Sequence, residues 1–202
     1  PTPVVLINDA STDTELLPWL QRLMEHAPES WVLLENAQNL GFVATVNRGM
    51  ESCSGNVLLL NTDTAVSPNW LDEIELCAAS DERIATITPF TNNGEIASWP
   101  EICSNNPWPE DLASLAQACR SLDRGSYQDL PTAVGFCMWI RRQALSALGT
   151  FDVQAFGLGY GEENDFSQRA IKEGWRNVLC HTAFVAHRGG ASFSPLGLKP
   201  NG

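Results

Sequence analysis

The stretch "LLLNTDTAVSPNW", residues 58–70, runs from leucines directly into the polar side chains of residues 61–64. The apolar run 57–60 has no polar alternation, which is typical of a strand buried on both faces and therefore interior and parallel. Ser67 followed by Pro68 has the pattern of a helix N-cap and a first-turn proline. Such a strand, ending in oxygen-bearing side chains, predicts a binding site at its carboxyl end.

The flanking sequence alternates between short apolar runs and segments with helical periodicity. The leucines that begin at Leu16 recur at helical spacing, which places Pro18 in the first turn of a helix. The same reasoning predicts strands at 4–7, 31–36, 83–88, 133–142 and 177–187, and helices at 43–53, 109–122 and 163–173. This order predicts an α/β fold with a mostly parallel central sheet flanked by helices.

The length of 202 residues suits a single domain with a substantial core. Residues 92–131 interrupt the alternation with asparagine, proline, tryptophan and serine, and we expect them to form an inserted stretch on the substrate side. Trp99, Trp108 and Trp139 could offer a platform for a ring-shaped ligand or simply pack in the core or a lid.

The composition excludes several classes of protein. Twelve basic residues against 24 acidic residues give a net charge of −12, which argues against nucleic acid as a direct partner. No apolar run approaches the roughly 20 residues that span a bilayer, so a membrane would be contacted only peripherally or through a segment outside this chain. The six cysteines show no C-x-x-C spacing, which favours buried free thiols and a cytoplasmic location, with the inner membrane face as an alternative.

Polar residues follow two of the predicted strands. Asn8 and Asp9 end the first strand, and Asn61 to Thr64 end the strand of the opening stretch. Because ligands of open parallel sheets bind beyond the carboxyl ends of the strands, we expect these two clusters to gather at one edge.

Five sequence blocks then carry a resemblance that spans nearly the whole chain. They are "VVLINDASTD", "NLGFVATVNRGM", "VLLLNTDTAVSPNWLD", "GFCMWIRRQALSALGTFD" and "YGEENDFSQRAIKEGW". In this order they resemble the family 2 inverting glycosyltransferases, which have the GT-A fold. The resemblance implies a nucleotide-diphosphate sugar donor, Mn²⁺ or Mg²⁺, a glycan or glycolipid acceptor, and a role in polysaccharide or glycoconjugate synthesis.

The resemblance implies a metal-binding role for Asp63, with Asn61 where a first acid often stands. Magnesium and manganese prefer oxygen ligands and take one or two carboxylates together with substrate phosphates, which agrees with this role. A turn residue with only local hydrogen bonds is the alternative for Asp63. His187 lies where some members place a further metal ligand, although a hydrogen-bonded structural histidine explains it equally well.

Glu162 and Glu163 match the family's acidic catalytic motif, in which the second acid takes the proton of the acceptor. Glu163 is therefore the candidate base and Glu162 the backup. An inverting displacement needs a carboxylate within hydrogen-bond reach of the attacking hydroxyl. The alternative is structural, because acidic side chains are favoured at the first turn of a helix.

The turn of Asn8, Asp9 and Ser11 resembles the family's nucleotide-binding turn, but Asn8 stands where the family commonly has an acid. Either Asp9 substitutes for that acid or the contact to the base is weaker. Asn47 and Arg48 match a region near the donor, where Arg48 could offset diphosphate charge or lie on a solvated helix face.

Family members normally begin with one more strand than this chain shows. We therefore expect residues 1–202 to be a catalytic domain truncated at its N-terminus, lacking part of the donor site. Two alternatives remain: a non-catalytic module that kept the sheet and lost turnover, and a nucleotidyltransferase, which would require a Gly-rich basic signature that the chain lacks.

Overall fold

The computed structural model describes residues 2–157 and 159–189. The helices and strands are, in chain order, β1 (Val4–Asn8), α1 (Leu16–Glu25), β2 (Trp31–Glu35), α2 (Phe42–Ser52), β3 (Val57–Leu60), β4 (Thr64–Val66), α3 (Trp70–Ser80), β5 (Ile84–Phe90), α4 (Leu112–Arg120), β6 (Gln128–Asp129), β7 (Cys137–Ile140), α5 (Arg142–Leu148), α6 (Val153–Phe156), α7 (Glu162–Lys172) and β8 (Arg176–His187). A short 3-10 helix, Glu95–Ala97, follows β5. The strands and helices predicted from the sequence all form.

The chain divides into two compact units. The first comprises the described residues of Pro1–Ser54 and Thr150–Glu162. In it β1 and β2 pair in parallel, with Val4 opposite Trp31. Helix α1 carries an apolar face for this sheet, and Pro18 lies in its first turn as predicted.

The second unit comprises the described residues of Gly55–Gly149 and Glu163–Gly202. Its sheet has the order β3-β7-β5-β8-β4, and β6 pairs with β8 off this path. Strands β5 and β8 are parallel, whereas β3–β7, β5–β7, β4–β8 and β6–β8 are antiparallel. The sheet is therefore mixed, and the expected parallel pairing is confirmed only for β1–β2 and β5–β8.

The long strand β8 organises this unit. It pairs with β5 along its first part and with β4 at its end, where Thr64 stands opposite His187. Ile87, Val178 and Val185 are fully buried in the core that these strands share with α3. This core fixes the register in which β8 pairs with β4 and β5, and the register determines which residues lie at the end of β8.

The interior parallel position predicted for residues 57–60 is wrong. Among the described residues β3 is a terminal strand of its sheet, and its partner β7 runs antiparallel to it. Only Val57 is buried, whereas Leu60 is 42% exposed. The leucines are therefore partly exposed rather than interior. The prediction failed because a short apolar run does not reveal which strands will pair with it.

The predicted N-cap at Ser67 is also wrong. Helix α3 begins at Trp70 after Asn69, whose φ of 62° places it in the left-handed region. The Ser67 hydroxyl is buried and donates to the carbonyl of Phe184 at 2.9 Å. A buried hydroxyl needs a partner, and here the main chain of β8 supplies it instead of the helix terminus.

The prediction of buried thiols is confirmed for four of the six cysteines. Cys77, Cys119, Cys137 and Cys180 are buried, Cys53 is half-buried and Cys103 is exposed. Burial raises the pKa of Cys119 to about 11. The buried thiols therefore behave as small apolar side chains of the core.

Candidate functional site

The structure brings together two of the predicted metal ligands, Asp63 and His187. Asp63 follows β3, and His187 is the last residue of β8. The His187 Nε2 atom lies 3.4 Å from Asp63 Oδ1, and the two side chains are only 14% and 11% exposed. The antiparallel register of β4 and β8 causes this approach, because it sets Thr64 opposite His187.

The ring of His187 has a fixed orientation. Its Nδ1 atom lies 2.6 Å from the carbonyl oxygen of Asn93, and the ring of Phe136 stacks on it at 5.1 Å between centroids. A carbonyl oxygen only accepts, so Nδ1 carries a hydrogen and Nε2 faces Asp63. A lone pair on Nε2 would repel the carboxylate oxygen unless a proton or a cation lay between them.

The main chain around this pair is held by two asparagines. The Asn92 side chain accepts from the N–H of His187 at 2.9 Å and donates to its carbonyl at 3.0 Å. Asn93 Nδ2 donates to the carbonyl of Arg188 at 3.0 Å. Asn92 is 4% exposed, so its side chain satisfies buried main-chain groups at the end of β8, as a neighbouring strand would.

Asp63 is held by the residues that follow His187. The backbone N–H of Arg188 donates to its carbonyl at 3.0 Å, and the N–H of Gly189 donates to its Oδ2 atom at 3.2 Å. Oδ2 is therefore occupied by the protein, and Oδ1 faces His187.

The pair fits a hard divalent cation. Two adjacent ligands of an octahedral ion, each at about 2.1 Å, lie about 3 Å apart, close to the observed separation. Within the described part of the chain, no group of three or more His, Cys, Asp or Glu side chains is placed to hold a metal. Two protein ligands suit Mg²⁺ or Mn²⁺, which keep waters and take substrate phosphate oxygens for the other positions.

Glu163 lies in the first turn of α7, and its carboxyl group faces Gly135. Its Oε2 atom is buried and has no hydrogen-bond partner among the described residues. A Cβ on Gly135 would lie 4.0 Å from the Glu163 carboxyl, so the missing side chain leaves room at this point. An unsatisfied buried carboxylate oxygen is costly, which marks Glu163 as a candidate functional group. Glu162, the backup, is more deeply buried, at 5% exposed, so burial of the carboxyl does not choose between the two residues.

The strand approach to Gly135 is fixed against α7. The N–H of Ala133 donates to Ser167 Oγ at 2.9 Å, and Gln168 Nε2 donates to the carbonyl of Pro131 at 2.8 Å. Thr132 also bonds to Asn164. Gly135 thus lies beside the Glu163 carboxyl, to which an added Cβ would come within 4.0 Å, and the next residue, Phe136, stacks on His187. The candidate base and the candidate metal ligand therefore flank one short segment of chain.

In the first unit, Asp9 has a structural role. Its carboxylate accepts from Asn36 Nδ2 at 2.7 Å and from the N–H groups of Leu40 and Gly41 at 2.8 and 3.0 Å. Partial burial raises the pKa of Asp9, but these hydrogen bonds and one with Thr45 outweigh it and hold the pKa below its ordinary value. The carboxylate fixes the approach to α2.

The other predicted nucleotide-binding residues of the first unit also bond within the protein. Asn8 Oδ1 accepts from the N–H of Ser11 at 3.0 Å, which closes the turn. Asn47 is buried and clamps the backbone of Phe151 with both ends of its amide, at 2.8 and 3.1 Å. Arg48 donates to the carbonyl of Glu35 at 2.8 Å and to Asn36.

Two further predictions have clear positions. The carbonyl of Asn61 accepts from the Thr64 hydroxyl at 2.7 Å, which shapes the turn that carries Asp63. Trp139 is buried, so it cannot be a ligand platform, whereas Trp99 and Trp108 are 45% and 42% exposed.

Sequence reasoning missed Asn92, Asn93 and Gly189. The run "TNNGE" signals a turn, and that was the available cue. Nothing local reveals that these side chains meet a strand 95 positions away.

Solved structures show the same architecture. A crystal structure of GalNAc-T7 with UDP, GalNAc and Mn²⁺ superposes with a TM-score of 0.70 at 16% identity, over 92% of this chain and 37% of that one. The mannosyltransferase PcManGT from Pyrobaculum calidifontis, in complex with GDP-Man and Mn²⁺, gives 0.65 at 16% identity, over 94% and 48%. The fold is thus the GT-A fold of glycosyltransferases.

The sequence identifies the family. The chain belongs to glycosyl transferase family 2, whose family model matches residues 2–149. It is also 24% identical, over 212 aligned residues, to the N-acetylglucosaminyl-diphospho-decaprenol L-rhamnosyltransferase of Mycobacterium tuberculosis. That alignment covers 93% of this chain and 66% of the relative, so the chain spans somewhat less than two thirds of the relative's length. None of the helices described here is both long and apolar enough to cross a membrane.

Proposed function

We propose that the chain is the catalytic part of a metal-dependent, inverting glycosyltransferase. It transfers a sugar from a nucleotide-diphosphate donor to a hydroxyl of a glycan or glycolipid acceptor, in polysaccharide or glycoconjugate synthesis. Family membership supports the reaction class. The donor class and the metal are supported by the UDP, GalNAc and Mn²⁺ in one structural neighbour and by the GDP-Man and Mn²⁺ in the other. The M. tuberculosis relative supports an acceptor in which a sugar is joined to a lipid through a diphosphate.

The observation that carries this proposal is the Asp63–His187 pair. Its Nε2 and Oδ1 atoms face each other at 3.4 Å inside a nearly closed environment, and the hydrogen bond to Asn93 leaves Nε2 available as a ligand. Asp63 and His187 would hold Mn²⁺ or Mg²⁺. Such an ion neutralises the negative charge that develops on the departing diphosphate.

Glu163 supplies the base. Its carboxylate accepts the proton of the acceptor hydroxyl as the oxygen attacks the anomeric carbon from the face opposite the diphosphate. The bond between that carbon and the diphosphate oxygen breaks, and the configuration inverts. The Oε2 atom of Glu163 is buried and has no hydrogen-bond partner among the described residues, which supports this role, and the absence of a side chain on Gly135 leaves space beside the carboxyl group.

Within the first unit, we assign nucleotide binding to Asn8, Asp9, Ser11, Asn47 and Arg48, which shape one turn and the helix α2. Because the Asp9 carboxylate already accepts from Asn36, Leu40 and Gly41, and Asn8 is buried with its Oδ1 atom bonded to Ser11, the direct contacts fall to main-chain groups of the turn. Residues 92–131 form the acceptor side, and we place the reaction in the cytoplasm, at the inner face of the membrane when the acceptor is a lipid.

A thermal-shift panel tests the proposal. Uridine, guanosine and thymidine diphosphates are each added with and without Mn²⁺, to the wild type and to Asp63→Asn. We expect stabilisation by one nucleotide only when the metal is present, and its loss in the variant. Equal stabilisation without metal would contradict the metal role of Asp63.

Turnover is tested with Glu163→Gln, and Glu162→Gln, at the backup candidate, is compared with it to decide which of the two carboxyls is the base. We expect Glu163→Gln to keep metal-dependent nucleotide binding while sugar transfer falls by about 10²-fold or more. Transfer at the wild-type rate in this variant refutes the assignment of the base. Nucleotide binding without transfer or donor hydrolysis by the wild type would support the non-catalytic alternative instead.

A further inference from the structure

Arg188 stands out among the arginines of the second unit. Its guanidinium group lies 5.5 Å from the ring centroid of Trp108, and Arg188 forms no ion pair with any carboxylate of residues 2–157 and 159–189. Other arginines of this unit bond to carboxylates or to main-chain carbonyls, as Arg124 does with Glu73 and Arg141 with Ile84. In a chain with twice as many acids as bases, an exposed guanidinium without an acidic partner is available for a ligand.

The main chain at Arg188 is rigidly placed beside the candidate metal site. Its N–H donates to the carbonyl of Asp63 and its carbonyl accepts from Asn93, both at 3.0 Å. The side chain therefore projects from a fixed point next to the Asp63–His187 pair. Stacking on Trp108 holds the planar group while its N–H edges remain open to oxygen acceptors.

Arg188 and Trp108 border a cavity of about 440 Å³, whose lining residues are Asn92, Asn105, Asn106, Pro107, Trp108, His187 and Arg188. The side-chain amides of Asn92 and Asn106 donate to main-chain carbonyls. These hydrogen bonds fix the side of the cavity that the two residues line. This volume lies within the range of small-molecule sites. The cavity is thus bordered by the Trp108 ring, by the Arg188 guanidinium, which pairs with no carboxylate of the described residues, and by His187 of the metal-ligand pair.

We propose that this cavity is the acceptor subsite and that Arg188 binds a phosphate group of the acceptor. A guanidinium fork matches the oxygens of a phosphate, and the indole ring beside it covers the apolar face of a sugar. The inference rests on the proposed function, because that function places the donor diphosphate on the metal and leaves the cavity to the second substrate. It specifies the acceptor as an anionic, phosphate-linked glycan.

Two synthetic acceptors test the proposal: N-acetylglucosamine joined to a decyl chain through a diphosphate, and the same sugar joined to the chain directly. Their binding is measured by calorimetry, first without nucleotide and then with a saturating nucleoside diphosphate and Mn²⁺. The titrations without nucleotide remain informative even if the donor proposal fails. We expect the wild type to bind the diphosphate acceptor at least about tenfold more tightly than the neutral one.

Arg188→Gln should abolish this preference, and Arg188→Lys should retain part of it, because the lysine keeps the charge but loses the fork. Arg22→Gln, which removes an exposed arginine of α1, is the matched control and should leave the preference unchanged. Equal affinity of the wild type for both acceptors would overturn the proposal. It would also be overturned if Arg188→Gln weakened nucleoside diphosphate binding while the acceptor preference survived, since Arg188 would then serve the donor.

Discussion

Substitution of Asn92 provides a direct test of how the candidate metal site is held in place. The Asn92 side chain makes hydrogen bonds to the N–H and the carbonyl of His187 and a weaker one, at 3.3 Å, to the carbonyl of Asn106. Asn92→Ala removes all three and leaves buried main-chain groups at the end of β8 without these partners.

The size of the effect follows from these contacts. Leaving a buried donor or acceptor unsatisfied costs about 1–3 kcal/mol. Two such groups on His187, partly rehydrated through the adjacent cavity, give an expected loss of about 2–4 kcal/mol in the free energy of unfolding. Because the same contacts position a proposed metal ligand, Mn²⁺ affinity should also fall by about 10-fold to 100-fold.

Asn105→Ala is the matched control, since Asn105 lines the same cavity but is exposed. Its substitution should change stability by less than about 0.5 kcal/mol. Urea unfolding at equilibrium measures the first quantity, and calorimetric Mn²⁺ titration measures the second. If Asn92→Ala and Asn105→Ala were equally stable, the proposed clamp on β8 would be refuted.

Asn92→Asp adds a pH-dependent test of the same clamp. The aspartate keeps an acceptor for the His187 N–H, but in its ionised form it cannot donate to the two carbonyls. Burial and these carbonyls should raise its pKa in the folded state above the unfolded value of about 3.9. The folded state is then favoured below the unfolded pKa, and this stability is lost as the pH rises through the folded pKa. The variant should therefore lose more stability relative to wild type at pH 7 than at pH 4, and an equal loss at both would contradict the contact.

Two further predictions concern stability. Gly189→Ala should destabilise the protein more than Gly149→Ala: both glycines have positive φ, 75° and 77°, but a Cβ at Gly189 would collide with Asn93 whereas a Cβ at Gly149 meets open space. Equal losses in urea unfolding would show that Asn93 moves freely. Asp9→Asn should destabilise the protein at pH 7. Because the pKa of Asp9 in the folded state lies below its ordinary value of 3.8, the difference in unfolding free energy between variant and wild type should shrink as the pH falls through the folded-state pKa. A difference that persisted unchanged at pH 2 would contradict the assigned hydrogen bonds.

The sequence predicted which segments form helices and strands, because that information is local. The apolar spacing from Leu16 onward and the run that becomes β8 each carry their own periodicity. Strand partners are not local. The run 57–60 looked interior because it lacks polar alternation, yet its antiparallel pairing with β7 depends on residues about 80 positions later.

In the candidate site, too, the residues could be predicted from local sequence but their spatial approach could not. Asp63 and His187 were recognisable one at a time from their sequence blocks, but their approach follows from the β4–β8 register. The environments of two predicted site carboxylates, Asp9 and Glu163, also differ. Asp9 is surrounded by donors and is structural, whereas Glu163 keeps one buried oxygen without a partner among the described residues. Residue type alone could not separate these two roles, because the donors around Asp9 come from residues 36–41.

The positions of the hydrogen-bond partners also explain why the site tolerates a short, partly exposed β3. Asp63 is not held by β3 itself: its carbonyl and Oδ2 bond to the main chain of residues 188 and 189, and the carbonyl of the preceding Asn61 bonds to Thr64. Residues 188 and 189 follow directly on β8, the strand with the most neighbours in this sheet, and Thr64 begins β4, which pairs with the end of β8. The metal ligands therefore depend on the stability of β8 rather than on that of the strand that precedes Asp63. Substitutions at the exposed Leu60 should consequently leave Mn²⁺ affinity unchanged, whereas those at Asn92 or Gly189 should lower it.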